Sequence, residues 1–236
     1  MDGHVRNFGD ALYEVFVDPE TLKDWKQDEE KMHFPIGSVI HNQVIVETLE
    51  LGYTPVFYDC GWRGEELDPD LVKECTFLGA RGPHTQGELA RHGVVVPMSL
   101  DAAYKIPKIV PKGVPHGMTV SIRHIMDDSD YSIDAALALG VDALFAPAVG
   151  EKQDVLDLIE KISGARFVLA GSMHAAIIAH AYEVPFALLD TGYINCSPKW
   201  EDWLASIEVT DVDWVDNIID GRKWHKSAVL KGSTHG

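Results

Sequence analysis

The stretch Phe167–Tyr182 combines an apolar strand-like run, a turn of small residues and a helical pattern with a histidine near its start. Phe167–Ala170 is apolar, Gly171 and Ser172 form the predicted turn, and His174 follows in the first turn of the helix. A helix that begins in this way directs its free N–H groups and the positive end of its dipole to one place. Because an imidazole lies at that place, the pattern predicts a site that binds an anion and transfers a proton.

Ser172 occupies the N-cap position of this predicted helix, so the N–H groups of Met173 and His174 are available to donate to a bound anion. The positive end of the helix dipole disfavours a charged imidazole. We therefore expect His174 to be neutral in an empty site and protonated when a phosphate or carboxylate binds. From the residues alone, a core histidine held by one hydrogen bond explains His174 equally well.

Further candidate residues lie at other predicted element ends. Arg81 stands between a strand-like run and a helix that begins at a proline, and Arg123 and His124 end another predicted strand. Each of these side chains can hold a phosphate or a carboxylate. Lys199 lies on the same side of a predicted helix as Asp202, where both can contact a polar ligand. An ion pair with an acidic residue explains Arg81 as well, and a solvated helix face explains Lys199.

The charge of the chain excludes some classes of partner. The 236 residues include 37 acidic and 20 basic side chains, which gives a formal net charge of -17. Such a surface repels nucleic acid, so nucleic-acid binding is not expected. An anionic small-molecule substrate must then be held by a local cluster of cations.

Strand-like and helical patterns alternate along the chain, most regularly after residue 117. Strands are predicted at 118–122, 143–147, 167–170 and 186–189, and helices at 131–139 and 155–162. This alternation predicts parallel βαβ units and the α/β class, in which ligands bind beyond the carboxyl ends of the strands. In the first half, strands are predicted at 55–58, 75–78 and 94–96.

The segment 104–117 is the best candidate for a linker, because it holds three prolines and three lysines in 14 residues. We therefore predict an N-terminal half over residues 1–104, a linker over 105–117, a C-terminal half over 118–206 and a tail over 207–236. The chain has neither a dinucleotide-binding glycine motif nor a P-loop, and its three cysteines form no C-x-x-C pair. No apolar leader or membrane span is recognisable, so a cytoplasmic location is expected.

Five motifs together resemble the polysaccharide pyruvyl transferase family. In chain order they are N-F-G-D-A-L from Asn7, R-G-P-H-T from Arg81, the strand that ends at His124, G-S-M-H-A-A-I-I-A from Gly171 and K-W-E-D-W-L-A-S from Lys199. They extend from Asn7 to Ser206. Such proteins transfer a pyruvyl group from phosphoenolpyruvate to sugar hydroxyls of a polymeric or lipid-linked glycan and form a cyclic ketal.

The resemblance implies a fold and a set of residue roles. The implied fold is two Rossmann-like halves of the glycosyltransferase B type, here compact or trimmed, with the active site in the cleft between them. His174 is implied as the general acid, with His124 beside it, and Asp10 as a base or sugar ligand. Asn7 and Gly9 belong to a turn that faces the cleft.

Arg81, Arg123 and Lys199 are the candidate anion holders in this interpretation, together with Ser172 and Met173 at the helix start. The implied reaction requires neither a metal nor a cofactor. Many family members have an arginine where this chain has Ser172, so phosphate binding here falls to another cation or to the backbone.

Two other functions stay open at this stage. A glycosyltransferase of the same architecture would bind a nucleotide sugar, and a non-catalytic relative would bind a glycan alone. For the pyruvyl transferase, the implied partners are phosphoenolpyruvate and a glycan of exopolysaccharide or cell-surface biosynthesis. A cytoplasmic enzyme of this kind can associate peripherally with the inner face of the membrane.

Overall fold

The structure is a computed structural model, which describes residues 5–127, 131–192 and 197–229 of the protein. Within these residues, helices alternate with strands, and the two larger sheets are wholly parallel. The α/β class predicted from the sequence is confirmed. No helix among the described residues is both long enough and apolar enough to cross a bilayer.

The strands are β1 (Arg6–Asn7), β2 (Lys31–Phe34), β3 (Thr54–Cys60), β4 (Thr76–Ala80), β5 (Thr119–Ile122), β6 (Ala143–Phe145), β7 (Ala148–Val149), β8 (Phe167–Ala170) and β9 (Phe186–Leu188). The helices are α1 (Phe8–Ala11), α2 (Tyr13–Phe16), α3 (Pro19–Gln27), α4 (Asn42–Glu50), α5 (Pro69–Lys73), α6 (Pro83–Arg91), α7 (Ile133–Leu139), α8 (Lys152–Ser163), α9 (Met173–Ala181), α10 (Ser197–Ser206) and α11 (Ile218–Trp224). A 3₁₀-helix covers Ala102–Lys108, and a π-helix covers His225–Val229.

The contacts divide the chain into two units. The first, which we call the four-stranded unit, contains the described residues of Met1–Val15, Ala103–Asn195 and Asp211–Gly236. The second, the three-stranded unit, contains those of Phe16–Ala102 and Cys196–Thr210.

The four-stranded unit has the strand order β6-β5-β8-β9. The chain runs from β5 outward to β6 and then returns to the other side of β5 as β8, so the order reverses between β5 and β8. Every residue of β5, β8 and β9 is buried, as expected for parallel strands covered on both faces. Open α/β sheets bind ligands beyond the carboxyl ends of the strands at such a reversal.

The first residues of the chain pack in this same unit. Arg6 pairs with Val149 and Asn7 with Ala148, which makes β1 and β7 an antiparallel two-stranded sheet. The N–H of Phe8 then donates to the carbonyl of Pro147 at 2.7 Å. These bonds attach the start of α1 to β7 and to the segment that joins β6 to β7.

The three-stranded unit has the order β2-β3-β4. Phe57 is fully buried and stacks between Phe34 and Phe77, with ring centroids 5.0 and 5.3 Å apart. This aromatic row joins the three strands on one face. α10 packs against α6 in the same unit.

This division differs from the linear division predicted from the sequence. The chain passes into the four-stranded unit at Ala103, next to the predicted linker over 105–117. The described residues of 1–15 pack with the later half because β1 pairs with β7, and those of 196–210 pack with the earlier half. The predicted tail contains α11 and the π-helix, and its last residues, 230–236, lie outside the described part.

Helix ends follow local signals in the sequence. The Ser132 hydroxyl accepts from the N–H of Ala135 at 3.2 Å at the start of α7, and Gly140 ends that helix with φ +71°. Pro83 begins α6, as predicted, because the first helical position needs no N–H donor.

The strand predicted over residues 94–96 is wrong. These residues form no ladder, and Val95 is 91% exposed; an isolated bridge joins Met98 to Ala80 instead. Conversely, α3 and β2 lie in a polar stretch for which the sequence predicts no regular element. An apolar run alone does not provide a partner strand, which is why the strand predicted over 94–96 does not form.

Candidate functional site

His174 lies in the first turn of α9, directly beyond the carboxyl end of β8. Gly171 and Ser172 make the turn, and the rest of the helix is almost wholly buried, with Ile177 and Ile178 fully inaccessible. The imidazole itself is 7% exposed. The strand, turn and helix predicted around His174 are confirmed.

The backbone of Gly9 lies against the ring of His174. A Cβ atom built on Gly9 would be 2.0 Å from Nδ1 of His174 and 2.6 Å from its Cγ. No side chain fits in this space, since real Cβ atoms do not approach other heavy atoms so closely. α1 therefore covers one side of the imidazole with backbone.

Asn7 holds the start of α1 in place. Its side-chain oxygen accepts a hydrogen bond from the N–H of Gly9 at 3.1 Å, which makes Asn7 the N-cap of α1. Asp10 follows in the same turn and is exposed. Thus Asn7, Gly9 and Asp10 belong to one helical turn that packs on α9.

His124 follows β5, the strand next to β8 in the sheet. The N–H groups of Gly171 and Ser172 both donate to the carbonyl of Ile122, at 2.8 and 3.2 Å. These bonds tie the turn before His174 to the end of the strand before His124. The structure therefore brings both histidines to the carboxyl edge at the point where the strand order reverses.

The ring of His124 has a defined orientation. It is 8% exposed, and its Nδ1 accepts a hydrogen bond from the N–H of Met126 at 3.2 Å. An accepting Nδ1 in a neutral ring leaves the proton on Nε2. In this state His124 offers an N–H donor at its other nitrogen.

Arg123 is oriented by an acidic residue that the sequence analysis did not identify. Its Nε donates to Asp127 at 2.8 Å, and both side chains are largely buried, with 16% and 11% exposure. The spacing of four residues was the available signal. This pair fixes the direction of the guanidinium beside His124.

Ser172 is at the N-cap of α9, but its hydroxyl makes no capping hydrogen bond. Met173 and His174 provide the first N–H groups of the helix, which have no acceptor within the helix itself. The side chain of Ser172 does not cover these donors. The predicted arrangement of N–H groups around the start of α9 is therefore present.

Arg81 lies in the three-stranded unit and is fully buried. Its guanidinium donates to the hydroxyl of Ser38 at 2.7 Å and to the carbonyl of Lys199 at 3.1 Å, and it lies 3.4 Å from the carboxylate of Asp202. The ion pair with an acidic residue, left open from the sequence, is what the structure shows. As anion holders, Arg81 and Lys199 stay predictions.

Asp202 has a role that the sequence analysis did not assign. One carboxylate oxygen accepts from the N–H groups of His84 and Thr85, both at 2.9 Å, and the other accepts from the Thr85 hydroxyl at 2.7 Å. Asp202 on α10 thereby caps the start of α6. Together with Arg81, these groups form a buried clasp, which we call the Asp202 clasp.

Potential metal ligands do not cluster in the described part of the chain. Among those residues, no three histidine, cysteine or carboxylate side chains are grouped so that they could hold a metal ion.

Comparison with known proteins supports the resemblance noted from the motifs. The family model "Polysaccharide pyruvyl transferase" matches residues 67–193, which is more than half of the chain. This range contains Arg81, His124 and His174. A relative, the succinoglycan biosynthesis protein ExoV of Rhizobium meliloti (strain 1021), is 35% identical over 69 residues. The matched stretch makes up 29% of this chain and 22% of the relative, so the chain spans less than a quarter of that protein. On the family match, this chain belongs to the polysaccharide pyruvyl transferase family.

Proposed function

We propose that this protein transfers a pyruvyl group from phosphoenolpyruvate to sugar hydroxyls of an exopolysaccharide or cell-surface glycan, forming a pyruvate ketal. The observation that supports this most is the position of His174. It lies at the start of a buried helix, beside the Gly9 backbone and next to the strand that carries His124. An anion and a proton donor can meet at this place.

In this proposal, the start of α9 binds the negatively charged part of phosphoenolpyruvate. The N–H groups of Met173 and His174 and the dipole of α9 favour an anion there. The adjacent strand end adds two groups. The guanidinium of Arg123, which Asp127 orients, adds a positive charge, and the Nε2–H of His124 adds a hydrogen-bond donor. The bound anion in turn favours the protonated form of His174.

His174 then acts as the general acid. It gives its proton to the methylene carbon of the enol phosphate, and the central carbon becomes oxocarbenium-like. A sugar hydroxyl forms a bond to that carbon and loses its proton to a base, for which we propose Asp10. The carbon–oxygen bond to phosphate breaks, the second hydroxyl closes the ring, and its proton leaves with the phosphate. The products are the ketal and inorganic phosphate.

The finer structural and cellular assignments belong to the same proposal. We propose that the protein has the glycosyltransferase B type of architecture and acts in the cytoplasm, with a peripheral contact to the membrane where its acceptor is lipid-linked. Phosphoenolpyruvate is the donor substrate, and no cofactor enters the reaction.

The proposal is tested by the release of phosphate from phosphoenolpyruvate with and without a glycan. Succinoglycan from which the ketals have been removed by mild acid is the first acceptor to try, because the relative's name refers to it. We expect release only when the glycan is present, together with new ketal methyl signals in the NMR spectrum of the glycan.

Other outcomes would favour the alternatives. Binding of a nucleotide sugar without phosphate release from phosphoenolpyruvate would indicate a glycosyltransferase. Glycan binding with no donor bound would indicate a non-catalytic relative. Either result, obtained over a panel of exopolysaccharides, would overturn the proposed transferase activity.

A further inference from the structure

A pocket of about 260 Å³ lies in the four-stranded unit, between α8 and the segment that joins β6 to β7. It is lined by Phe145, Ala146, Ala148, Val149, Asp154, Asp157, Leu158 and Lys161. Val149 and Leu158 are buried and form its apolar base. Asp154, Asp157 and Lys161 are exposed and form its polar edge.

One face of α8 supplies most of this lining. Asp154, Asp157, Leu158 and Lys161 are separated by three, four and seven positions, so they lie on the same side of the helix. The ammonium of Lys161 lies 5.0 Å from the ring centre of Phe145, a cation–π contact that keeps it at the pocket. The polar edge therefore contains both hydrogen-bond acceptors and a donor.

The chemistry of the lining restricts the ligand. Two carboxylates against one lysine disfavour an anion, and a fully apolar ligand would remove water from these charged groups. Among the described residues, no group of three ligands suits a metal ion. A sugar ring fits, because its C–H surface suits the apolar base and its hydroxyls suit the polar edge. The volume lies just below the roughly 300–1,000 Å³ of pockets for drug-sized ligands, which suits a single ring.

The pocket is joined to the candidate site by the backbone. Ala148, which lines the pocket, pairs with Asn7, and the carbonyl of Phe145 accepts from the N–H of Arg123 at 3.2 Å. The two segments that line the pocket therefore also hold residues of the candidate site. A glycan bound with one ring near Asp10 can extend toward the pocket.

We propose that this pocket binds an uncharged sugar ring of the glycan acceptor, next to the ring that receives the pyruvyl group. This inference rests on the proposed function for the identity of the acceptor. It assigns Phe145, Asp157 and Lys161 a role in the recognition of acceptor length, apart from the chemical step.

The test measures glycan binding in the absence of phosphoenolpyruvate. Ketal-free succinoglycan fragments of increasing length and a single hexose are titrated into the ¹⁵N-labelled chain. We expect the longer fragments to bind at least about tenfold more tightly than the hexose. This factor is what one additional hydrogen bond to a charged group contributes to affinity. Their binding should shift the amide signals of Phe145 and Lys161.

Variants separate the pocket from the rest of the helix. Asp157→Ala and Lys161→Ala should reduce the affinity for long fragments to that of the hexose. Lys152→Ala and Glu160→Ala, which change exposed α8 residues outside the pocket, are the matched controls and should bind as the unchanged protein does. Equal binding by the pocket variants and the controls, or no difference between long fragments and the hexose, would overturn the proposal.

Fragment binding tests the pocket, and phosphate release tests the proposed function, so either can fail without the other. Fragment binding at the pocket without phosphate release would support the sugar subsite and contradict the transferase. Phosphate release that depends on a glycan, with no effect of Asp157→Ala or Lys161→Ala on the KM for long fragments, would support the transferase and contradict the subsite.

Discussion

Gly9 and His174 lie so close together that a single methyl group would disturb their contact. In Gly9→Ala, the new Cβ would be 2.0 Å from the imidazole Nδ1, so the ring must move. A displacement of about 1 Å at a reacting group can reduce the rate by about 10²-fold. We expect Gly9→Ala to lower kcat for glycan-dependent phosphate release by at least that factor.

Gly87 provides the matched control for this change. It lies on the exposed side of α6, and a Cβ there would have no heavy atom within 4 Å. Gly87→Ala should leave kcat unchanged and stabilise the protein by about 0.4–1 kcal/mol, because alanine restricts the unfolded chain. A Gly9→Ala protein with unchanged kcat would show that the position of His174 is not critical.

The local sequence was sufficient to predict the surroundings of His174 but not those of Arg81. The strand, turn and helix around His174 are formed by its immediate neighbours in the chain, from Phe167 onward. The local pattern was therefore enough to predict them. The setting of Arg81 depends on Asp202, a residue far along the chain and on another helix. No local pattern indicates such a partner, and the choice between substrate binding and an ion pair therefore needed the fold.

At the scale of elements, the Asp202 clasp joins α10 to the start of α6. Arg81 and Asp202 are both fully buried, and removal of one partner leaves an uncompensated charge. We expect Asp202→Ala to reduce the free energy of unfolding by about 3–5 kcal/mol, measured by urea denaturation. Asp202→Asn should reduce the free energy of unfolding by less than Asp202→Ala does, because an amide oxygen can still accept from the N–H groups of α6.

A surface pair serves as the control for the clasp. Asp70 and Lys73 form an ion pair at 2.7 Å, but their side chains are 88% and 70% exposed. Water screens such a pair, so Asp70→Asn should leave the denaturation midpoint unchanged. Equal effects of Asp202→Ala and Asp70→Asn would contradict the role of the clasp.

The elements themselves were predictable to different degrees. The buried strands β8 and β9 are continuous apolar runs, while β5 also contains Thr119 and Ser121, and the sequence predicted each of the three within a few residues. β1 and β7 each have two residues and exist because they pair across the chain, so no pattern reveals them. The apolar run at 94–96 has the pattern of a strand but lacks a partner.

For the whole molecule, a partly buried histidine, His180, and a buried one, His225, make stability depend on pH. Burial lowers the pKa of His180 and of His225, and the proximity of His225 lowers that of His180 further, while Glu183 opposes the shift. The Nδ1 of His180 is hydrogen-bonded to the Tyr104 hydroxyl at 2.9 Å, and the Nδ1 of His225 accepts from the N–H of Phe186 at 3.4 Å. Protonation of His225 at Nδ1 would break its hydrogen bond with Phe186.

The sign of the pH effect follows from the direction of these shifts. The folded protein holds both rings neutral, so below the ordinary histidine pKa of about 6.5 the unfolded chain binds more protons. Stability should be full above that pH and decrease as the pH falls below it. Urea denaturation between neutral and acidic pH measures this, and His180→Gln, which keeps an acceptor but does not titrate, should make the dependence shallower. An unchanged dependence in His180→Gln would exclude His180 as a contributor.

The net charge of -17 gives the chain as a whole a negative potential, which disfavours an anion at the proposed site. Positive groups at the candidate site must therefore act locally, over distances shorter than the Debye length of about 8 Å at physiological salt. In the proposed reaction, this part falls to Arg123, His124 and the start of α9. They follow the neighbouring strands β5 and β8, which is why we propose that the donor substrate binds at His174.

In the proposed reaction, His174 protonates the methylene carbon of phosphoenolpyruvate. This role is tested by the rate of ketal formation in D₂O by the unchanged protein and by His174→Asn, with phosphoenolpyruvate binding measured in parallel. We expect one deuterium in each ketal methyl group from the unchanged protein. We expect a rate about 10²–10⁴-fold lower in the folded variant, as for the loss of a general acid. A His174→Asn protein that forms the deuterated ketal at the unchanged rate would exclude His174 as the general acid.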